Sequence, residues 1–108
     1  MITIVVLHVI AEENRDLALG LISRNTEKAK QFPGFISRRI LHSLDDPCCC
    51  YSVTSWRTQA DIDRFRNRPD RPQLDVEGEE RRIYERTPAG CILLFTRTRT
   101  ETCEEAEQ

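Results

Sequence analysis

With 108 residues, 16 of them basic and 18 acidic, the chain has the length of one modest domain and a formal net charge of -2. No stretch forms the basic stripe that nucleic-acid binding requires, and the longest apolar run, Ile4 to Ala11, is much too short to cross a bilayer. We therefore expect one domain over residues 1–100, a solvated acidic tail over residues 101–108, and neither a nucleic-acid nor a membrane partner.

The first two predicted elements are a strand and a helix. Ile2 to Ile10 is apolar at almost every position and rich in β-branched residues, which predicts a strand covered on both faces. Asn14 is a candidate cap for a helix over about Arg15 to Gln31, whose apolar residues recur near one face. Pro33-Gly34 ends this helix, because proline cannot continue it and glycine favours a turn.

Two strands and a short helix are predicted next. Phe35 to Ser43 alternates imperfectly, and Cys49 to Trp56 is rich in residues suited to a pleated sheet. An Asp-Asp-Pro turn separates them, so we predict an antiparallel hairpin. Thr58, followed three residues later by Asp61, forms a capping-box pattern and opens a helix that stops at Pro69.

The remaining residues complete a known order of elements. Asp70 to Arg86 is polar and ambiguous, permitting a partial helix that Gly78 argues against. Cys91 to Phe95 predicts an apolar strand, extended by a Thr/Arg alternation through Arg99. The resulting β-α-β-β-α-β order is the ferredoxin-like α+β arrangement, in which two helices cover one face of a four-stranded antiparallel sheet.

The second face of this sheet implies another copy of the chain. The first and last strands are apolar on both sides, and no predicted element remains to cover the face opposite the helices. We therefore predict a homodimer whose two sheets pack into one α/β barrel, with an enclosed cavity for a small apolar or aromatic molecule.

Several short pieces of sequence, taken in order and spacing, resemble the antibiotic biosynthesis monooxygenase domain family over most of residues 2–96. The pieces are Pro33-Gly34-Phe35, Pro47, Tyr51, Trp56, Thr58 and Arg66-Asn67-Arg68-Pro69. The resemblance implies a dimeric α+β barrel. Members of that family include cofactor-free oxygenases of polycyclic phenols, quinol oxygenases, haem-degrading enzymes and many proteins of unknown role, and the fold alone does not choose among them.

Two positions depart from the family's active-site pattern. Polyketide-modifying members have an Asn four residues before the strand-ending Trp, whereas this chain keeps Trp56 but has Ser52 at that position. Many members place a His nine residues after the Trp, where this chain has Phe65. Haem-degrading members use a Trp there, with an axial His further along that has no counterpart here. The resemblance therefore implies no dedicated cofactor.

His8, Ser52 and Trp56 are the candidate catalytic residues. His8 interrupts an apolar strand, which is typical either of a core histidine held by one hydrogen bond or of a proton acceptor aimed into a pocket. Trp56 offers a flat face to an aromatic ligand but equally suits a structural core. Ser52 shares the face of Trp56 by alternation along the strand. Arg38 and Arg39 split between faces, so one of them can meet an anionic group inside the barrel.

The five cysteines predict reduced thiols. Cys48, Cys49 and Cys50 are adjacent, and on a strand the first and third would lie about 7 Å apart without the Cys-x-x-Cys turn typical of zinc sites. We expect small buried or incidental thiols in a cytoplasmic protein, and no metal.

Two functions are compatible with these residues. The first is a cofactor-independent monooxygenase that acts on a small aromatic or quinol-type substrate in the cavity of the dimeric barrel. The alternative is a non-catalytic dimer that binds a small ligand or serves a stress response.

Overall fold

The computed structural model describes residues 1–69, 74–77, 80–88 and 90–104. Their elements are β1 (Ile2–Ile10), α1 (Arg15–Lys30), β2 (Phe35–His42), β3 (Cys49–Trp56), α2 (Gln59–Arg66), β4 (Leu74–Glu77), β5 (Glu80–Thr87) and β6 (Gly90–Glu104). A short 3-10 turn over Glu12–Asn14 leads into α1. The predicted α+β class is confirmed, and β1 and β3 have the bounds that their apolar and β-branched patterns indicate.

The strands form one antiparallel sheet of six, in the order β2-β3-β1-β6-β5-β4. The four predicted strands lie together as β2-β3-β1-β6, which is the ferredoxin-like order. The partial helix that residues 70–86 permitted is wrong, because Leu74–Glu77 and Glu80–Thr87 are strands. The reason is that β6 is 15 residues long and offers a second edge, along which β5 pairs from Arg81 to Thr87.

Both helices cover the same face of the sheet, and alternate residues of β1 point toward them. Ile4, Val6, His8 and Ile10 are buried on this face. The core there consists of two apolar clusters. One contains Ile10, Ala18, Ile22, Cys50, Ile83, Leu94 and Phe95. The other contains Ile4, Val6, Ala29, Trp56 and Ile62, with Phe32, Phe35 and Phe65 packed against it.

A bulge in β2 decides which arginine enters this interior. Phe35 pairs with Trp56, but Ser37 already pairs with Ser55, so one residue of β2 is left out of the register between them. Phe35 and Arg38 consequently share the helix-covered face, whereas strict alternation placed them on opposite faces. Arg39 is exposed.

The ends of the two helices are fixed in different ways. The Asn14 side chain does not cap α1 as predicted; its Nδ2 donates to the Leu93 carbonyl (2.8 Å) and ties the start of the helix to β6. The cap of α2 is confirmed, because Thr58 Oγ1 accepts from the Asp61 N–H (3.2 Å). Gly34 packs against this cap with φ +84°, and a Cβ there would lie 2.1 Å from the Asp61 carboxylate.

The last strand is longer than predicted. Strand β6 runs four residues past the predicted tail boundary at residue 100, and its Glu104 pairs with Ile2 of β1. Residues 105–108 of the predicted tail lie outside the described residues.

The face away from the helices carries half-buried Val5 and Leu7 and the exposed side chains of Leu41 and Tyr51. Neither helix of the described residues combines the length and hydropathy needed to cross a membrane.

Candidate functional site

A cavity of about 100 Å³ lies between the sheet and the two helices, at the junction of the two apolar clusters. Its polar lining is His8, Asn25, Arg38, Ser52, Thr54, Arg66 and Arg68. Its apolar lining comes from both clusters and includes Ile4, Val6, Trp56, Ile62, Phe65 and Phe95. A band of polar side chains therefore separates two apolar regions, which is the composition of a ligand site rather than of a continuous core.

His8 and Ser52 form the central polar contact of the cavity. The two residues are 5% and 4% exposed, and His8 Nε2 lies 3.1 Å from Ser52 Oγ. Phe95 packs against the imidazole edge to face, with the ring centroids 4.8 Å apart. The neighbouring strands β1 and β3 hold both residues on the inner face, so the predicted candidates do meet. The geometry fits both a core histidine held by this hydrogen bond and a base beside a hydroxyl.

Trp56 is the third candidate and belongs to an aromatic wall. Its indole packs edge to face on Phe35 (5.6 Å between centroids) and at a tilt on Phe65 (5.3 Å). Phe65 in turn packs edge to face on Phe32 (5.2 Å). The Phe65 ring thus faces the cavity and supports Trp56, so the wall can stack on an aromatic ligand.

The cavity is electropositive, because arginine provides all the formal charge among its described lining residues. Arg68 is 8% exposed and donates to Asn25 Oδ1 (3.1 Å) and to the Phe65 carbonyl (2.9 Å). Its guanidinium carbon also lies 4.0 Å from the centre of the Phe65 ring. Burial, together with the positive charge of Arg68, lowers the pKa of Arg38 to about 10.

Sequence reasoning missed part of this lining. In the sequence Arg68 stands out only as part of Arg66-Asn67-Arg68-Pro69, although the three-residue spacing from Phe65 to Arg68 permits a guanidinium to fold back over the ring. Asn25 stands on the apolar stripe of α1, three residues after Ile22, and this position was the available signal. Ile83 reaches the cavity from the hairpin that the sequence did not reveal.

Four of the five cysteines have described side chains, and none of these four lines the cavity. Cys48, Cys49, Cys50 and Cys103 are free thiols, and no three potential metal ligands cluster within the described part of the chain. Burial raises the pKa of the Cys50 thiol. Desolvation and the hydrogen bond that Cys49 Sγ donates to Asp46 (3.4 Å) raise the pKa of Cys49. Both thiols are therefore held in the protonated, weakly nucleophilic form.

Comparison with known proteins identifies one family and several solved structures of similar fold. The model of the antibiotic biosynthesis monooxygenase family matches residues 1–72. No protein with a curated description matches the chain. Among solved structures, an antibiotic biosynthesis monooxygenase is similar at 22% identity and a TM-score of 0.59, over 64% of this chain and 73% of that one.

Two further solved structures have the same fold. A conserved protein from Methanosarcina mazei Go1 is 16% identical with a TM-score of 0.60, over 63% of this chain and 67% of the other. A candidate antibiotic biosynthesis monooxygenase from Nitrosomonas europaea is 20% identical with a TM-score of 0.58, over 64% and 73%. At these identities the likeness shows the fold and leaves function to the site itself.

Proposed function

Because this chain belongs to the antibiotic biosynthesis monooxygenase family, we propose that it is a cofactor-independent monooxygenase acting on a small quinol-type aromatic. The observation that supports this most directly is that His8, Ser52 and Trp56, brought from two strands, line one cavity. A proton acceptor, a hydroxyl and an aromatic face beside one small space are what deprotonation and positioning of a phenol require.

The size of the cavity favours a single ring. An apolar protein cavity of about 150 Å³ accommodates benzene, and this cavity is about 100 Å³. A monocyclic quinol therefore requires the lining side chains to move, whereas a tricyclic anthrone additionally requires the helices to separate from the sheet. We therefore place the substrate among monocyclic quinols.

The reaction is balanced without a further reductant. Removal of a phenolic proton makes the ring electron-rich enough to pass one electron to O₂, and recombination forms a carbon–oxygen bond and a hydroperoxide. Loss of water then breaks the O–O bond, so a quinol and O₂ give a hydroxyquinone and H₂O. The quinol supplies all four electrons, one oxygen atom enters the ring, and the other leaves in water.

The residue roles follow from their chemistry. We assign proton acceptance to His8, because histidine is the side chain that ordinarily exchanges protons near neutral pH. The Ser52 hydroxyl orients the imidazole through the 3.1 Å contact. Trp56 and Phe65 hold the ring of the substrate by stacking.

We further propose that the protein works as a homodimer in the cytoplasm. Val5, Leu7, Leu41 and Tyr51 form an apolar surface on the face away from the helices, and a second sheet packed there would bury it. The free thiols at Cys48, Cys49 and Cys50 suit a reducing compartment. Light scattering that gives the mass of one chain at micromolar concentration would contradict the dimer.

Oxygen uptake tests the proposed reaction. Methylhydroquinone is incubated with the wild type, His8→Ala, Trp56→Phe and the control His42→Ala, whose histidine is exposed at the end of β2. We expect one O₂ consumed per quinol above the rate without protein, at least a 100-fold loss in His8→Ala, and no loss in the control. Binding of the quinol without oxygen uptake would instead identify the non-catalytic ligand-binding alternative and refute the oxygenase.

A further inference from the structure

Charge is distributed unevenly around the cavity. Three of the cavity's described lining residues are arginines, namely Arg38, Arg66 and Arg68. No described lining residue is acidic. A cluster of guanidinium groups in a desolvated space is costly unless an anion accompanies it. Arg66 and Arg68 take part in other interactions within the protein, so an anionic ligand group would be bound at the remaining arginine.

Arg38 is the arginine best placed to bind that group. The Arg68 guanidinium already donates to Asn25 and to the Phe65 carbonyl, and it is stacked on the Phe65 ring. Arg38 Nε, in contrast, is buried without an acceptor among the described residues, and no carboxylate there forms an ion pair with Arg38. Its guanidinium is directed into the cavity by the β2 bulge, and the described part of the chain gives it no anion of the kind that such a group ordinarily pairs with.

We propose that Arg38 forms an anion subsite and that the cavity binds a monocyclic aromatic carboxylate, with the carboxylate at Arg38 and the ring at Trp56. The spacing supports this orientation, because Arg38 pairs with Thr54, two residues before Trp56 on β3. Two residues along a strand span about 7 Å, which is comparable to the length of a benzoate. The planar guanidinium also matches the planar carboxylate.

This inference rests on the proposed function only in taking the same cavity as the substrate site. It adds a chemical class to the substrate, since a quinol without an acidic substituent is neutral when it binds and would offer Arg38 no anion before its deprotonation. A carboxylated quinol satisfies both the aromatic wall and the guanidinium.

Calorimetric titration with 4-hydroxybenzoate and its neutral isostere 4-hydroxybenzamide tests the subsite without any oxidation. We expect the wild type to bind the carboxylate at least about tenfold more tightly than the amide. Arg38→Gln should reduce this preference to less than about threefold. Arg39→Gln, which makes the same charge change one residue along on an exposed side chain, should keep it.

Two additional measurements keep the result interpretable. Arg38→Lys retains the charge and should recover part of the preference, and the thermal midpoint of each variant shows that it is folded. A tenfold preference that survives in folded Arg38→Gln, or equal affinity of the wild type for acid and amide, would overturn the subsite. Carboxylate binding without oxygen uptake on 2,5-dihydroxybenzoate or methylhydroquinone would refute the oxygenase alone, whereas quinol turnover with no preference for the acid would refute the subsite alone.

Discussion

His8 and Ser52 are 44 positions apart in the sequence, yet His8 Nε2 and Ser52 Oγ lie 3.1 Å apart in the interior. The contact joins two strands, so it exists only when β1 and β3 pair in their observed register. A one-residue slip would turn one of the two side chains to the opposite face.

Ser52→Ala tests whether this contact serves function. The change removes a buried hydrogen-bond partner, so we expect a loss of about 1 kcal/mol in the free energy of unfolding and a lower rate of quinol oxidation. Ser55→Ala is the matched control, since Ser55 lies on the same strand but its Oγ contacts Thr3 Oγ1 (2.9 Å) outside the cavity. It should cost similar stability in urea titrations and leave oxygen uptake unchanged. Equal losses of activity in both variants would speak against a role for Ser52.

Phe65→Ala should enlarge the cavity and widen the range of ligands. Removing the ring opens the aromatic wall beside Trp56, and we expect 1,4-naphthoquinol to bind this variant but not the wild type. The cost in the free energy of unfolding should be about 2–4 kcal/mol. Phe32→Ala removes a ring that packs on Phe65 but is not part of the lining, and it should destabilise without admitting the larger quinol. Wild-type binding of naphthoquinol would disprove the size limit.

Gly34 and Gly20 should respond in opposite directions to alanine. Gly34 has φ +84° and no room for a Cβ beside Asp61, so Gly34→Ala should destabilise by about 2 kcal/mol or more. Gly20 lies inside α1, where a Cβ would make an ordinary 3.5 Å contact with Arg24. Gly20→Ala should therefore stabilise by about 0.5–1 kcal/mol. Urea unfolding measures both, and a neutral Gly34→Ala would contradict the turn geometry.

Arg38→Met should make the protein more stable. Burial and Arg68 lower the pKa of Arg38 to about 10, which means that the folded state holds this charge less favourably than the unfolded chain does. Replacing it with a side chain of similar length but no charge should raise the free energy of unfolding by about 1 kcal/mol. Arg39→Met, on an exposed position, should change it by less than about 0.5 kcal/mol. Destabilisation by Arg38→Met would show that the guanidinium is well paired in solution.

Acid should weaken the cap of α2 through Asp61. The Thr58 hydroxyl, which donates to Asp61 Oδ2 (2.8 Å), and Arg64 hold the pKa of this carboxyl below its usual value. A lowered folded-state pKa gives stability that is present above the unfolded pKa of about 3.9 and is lost as the pH falls through the folded pKa. Wild type and Asp61→Asn should thus differ at neutral pH and converge in acid. Thr58→Val should reduce the difference, and a gap that persists at pH 2 would contradict this account.

Most of the fold could be predicted from local sequence patterns, because such patterns depend only on residues that are close together in the chain. The β-branched run of β1 indicates a strand, and the Thr58–Asp61 spacing indicates the start of a helix, without any tertiary contact. Strand β5 could not be predicted in this way, since its polar sequence becomes a strand only along the edge of β6. The same holds for the β2 bulge, which depends on pairing with β3.

Local patterns likewise predict some residues of the candidate site and miss others. Ser52 and Trp56 could be placed on one face of β3 by alternation alone, whereas His8 joins them only through the pairing of β1 with β3. The burial of Arg68 could not, because its hydrogen bond to Asn25 joins α2 to α1 across 43 positions. The electropositive character of the cavity arises from this tertiary contact and from the bulge that turns Arg38 inward, and neither is visible in a linear pattern.

Strand β1 lies between β3 and β6, and both of these strands follow it in the sequence. Each edge of β1 is therefore unpaired until a later strand has been synthesised. The second edge is completed only when residues as distant as Glu104, which pairs with Ile2, have been added. During translation the nascent polypeptide therefore carries an apolar strand with open backbone donors and acceptors, which is a template for aggregation. Production of the protein should consequently be sensitive to chaperone supply and growth temperature, even though the finished sheet has β1 at its centre.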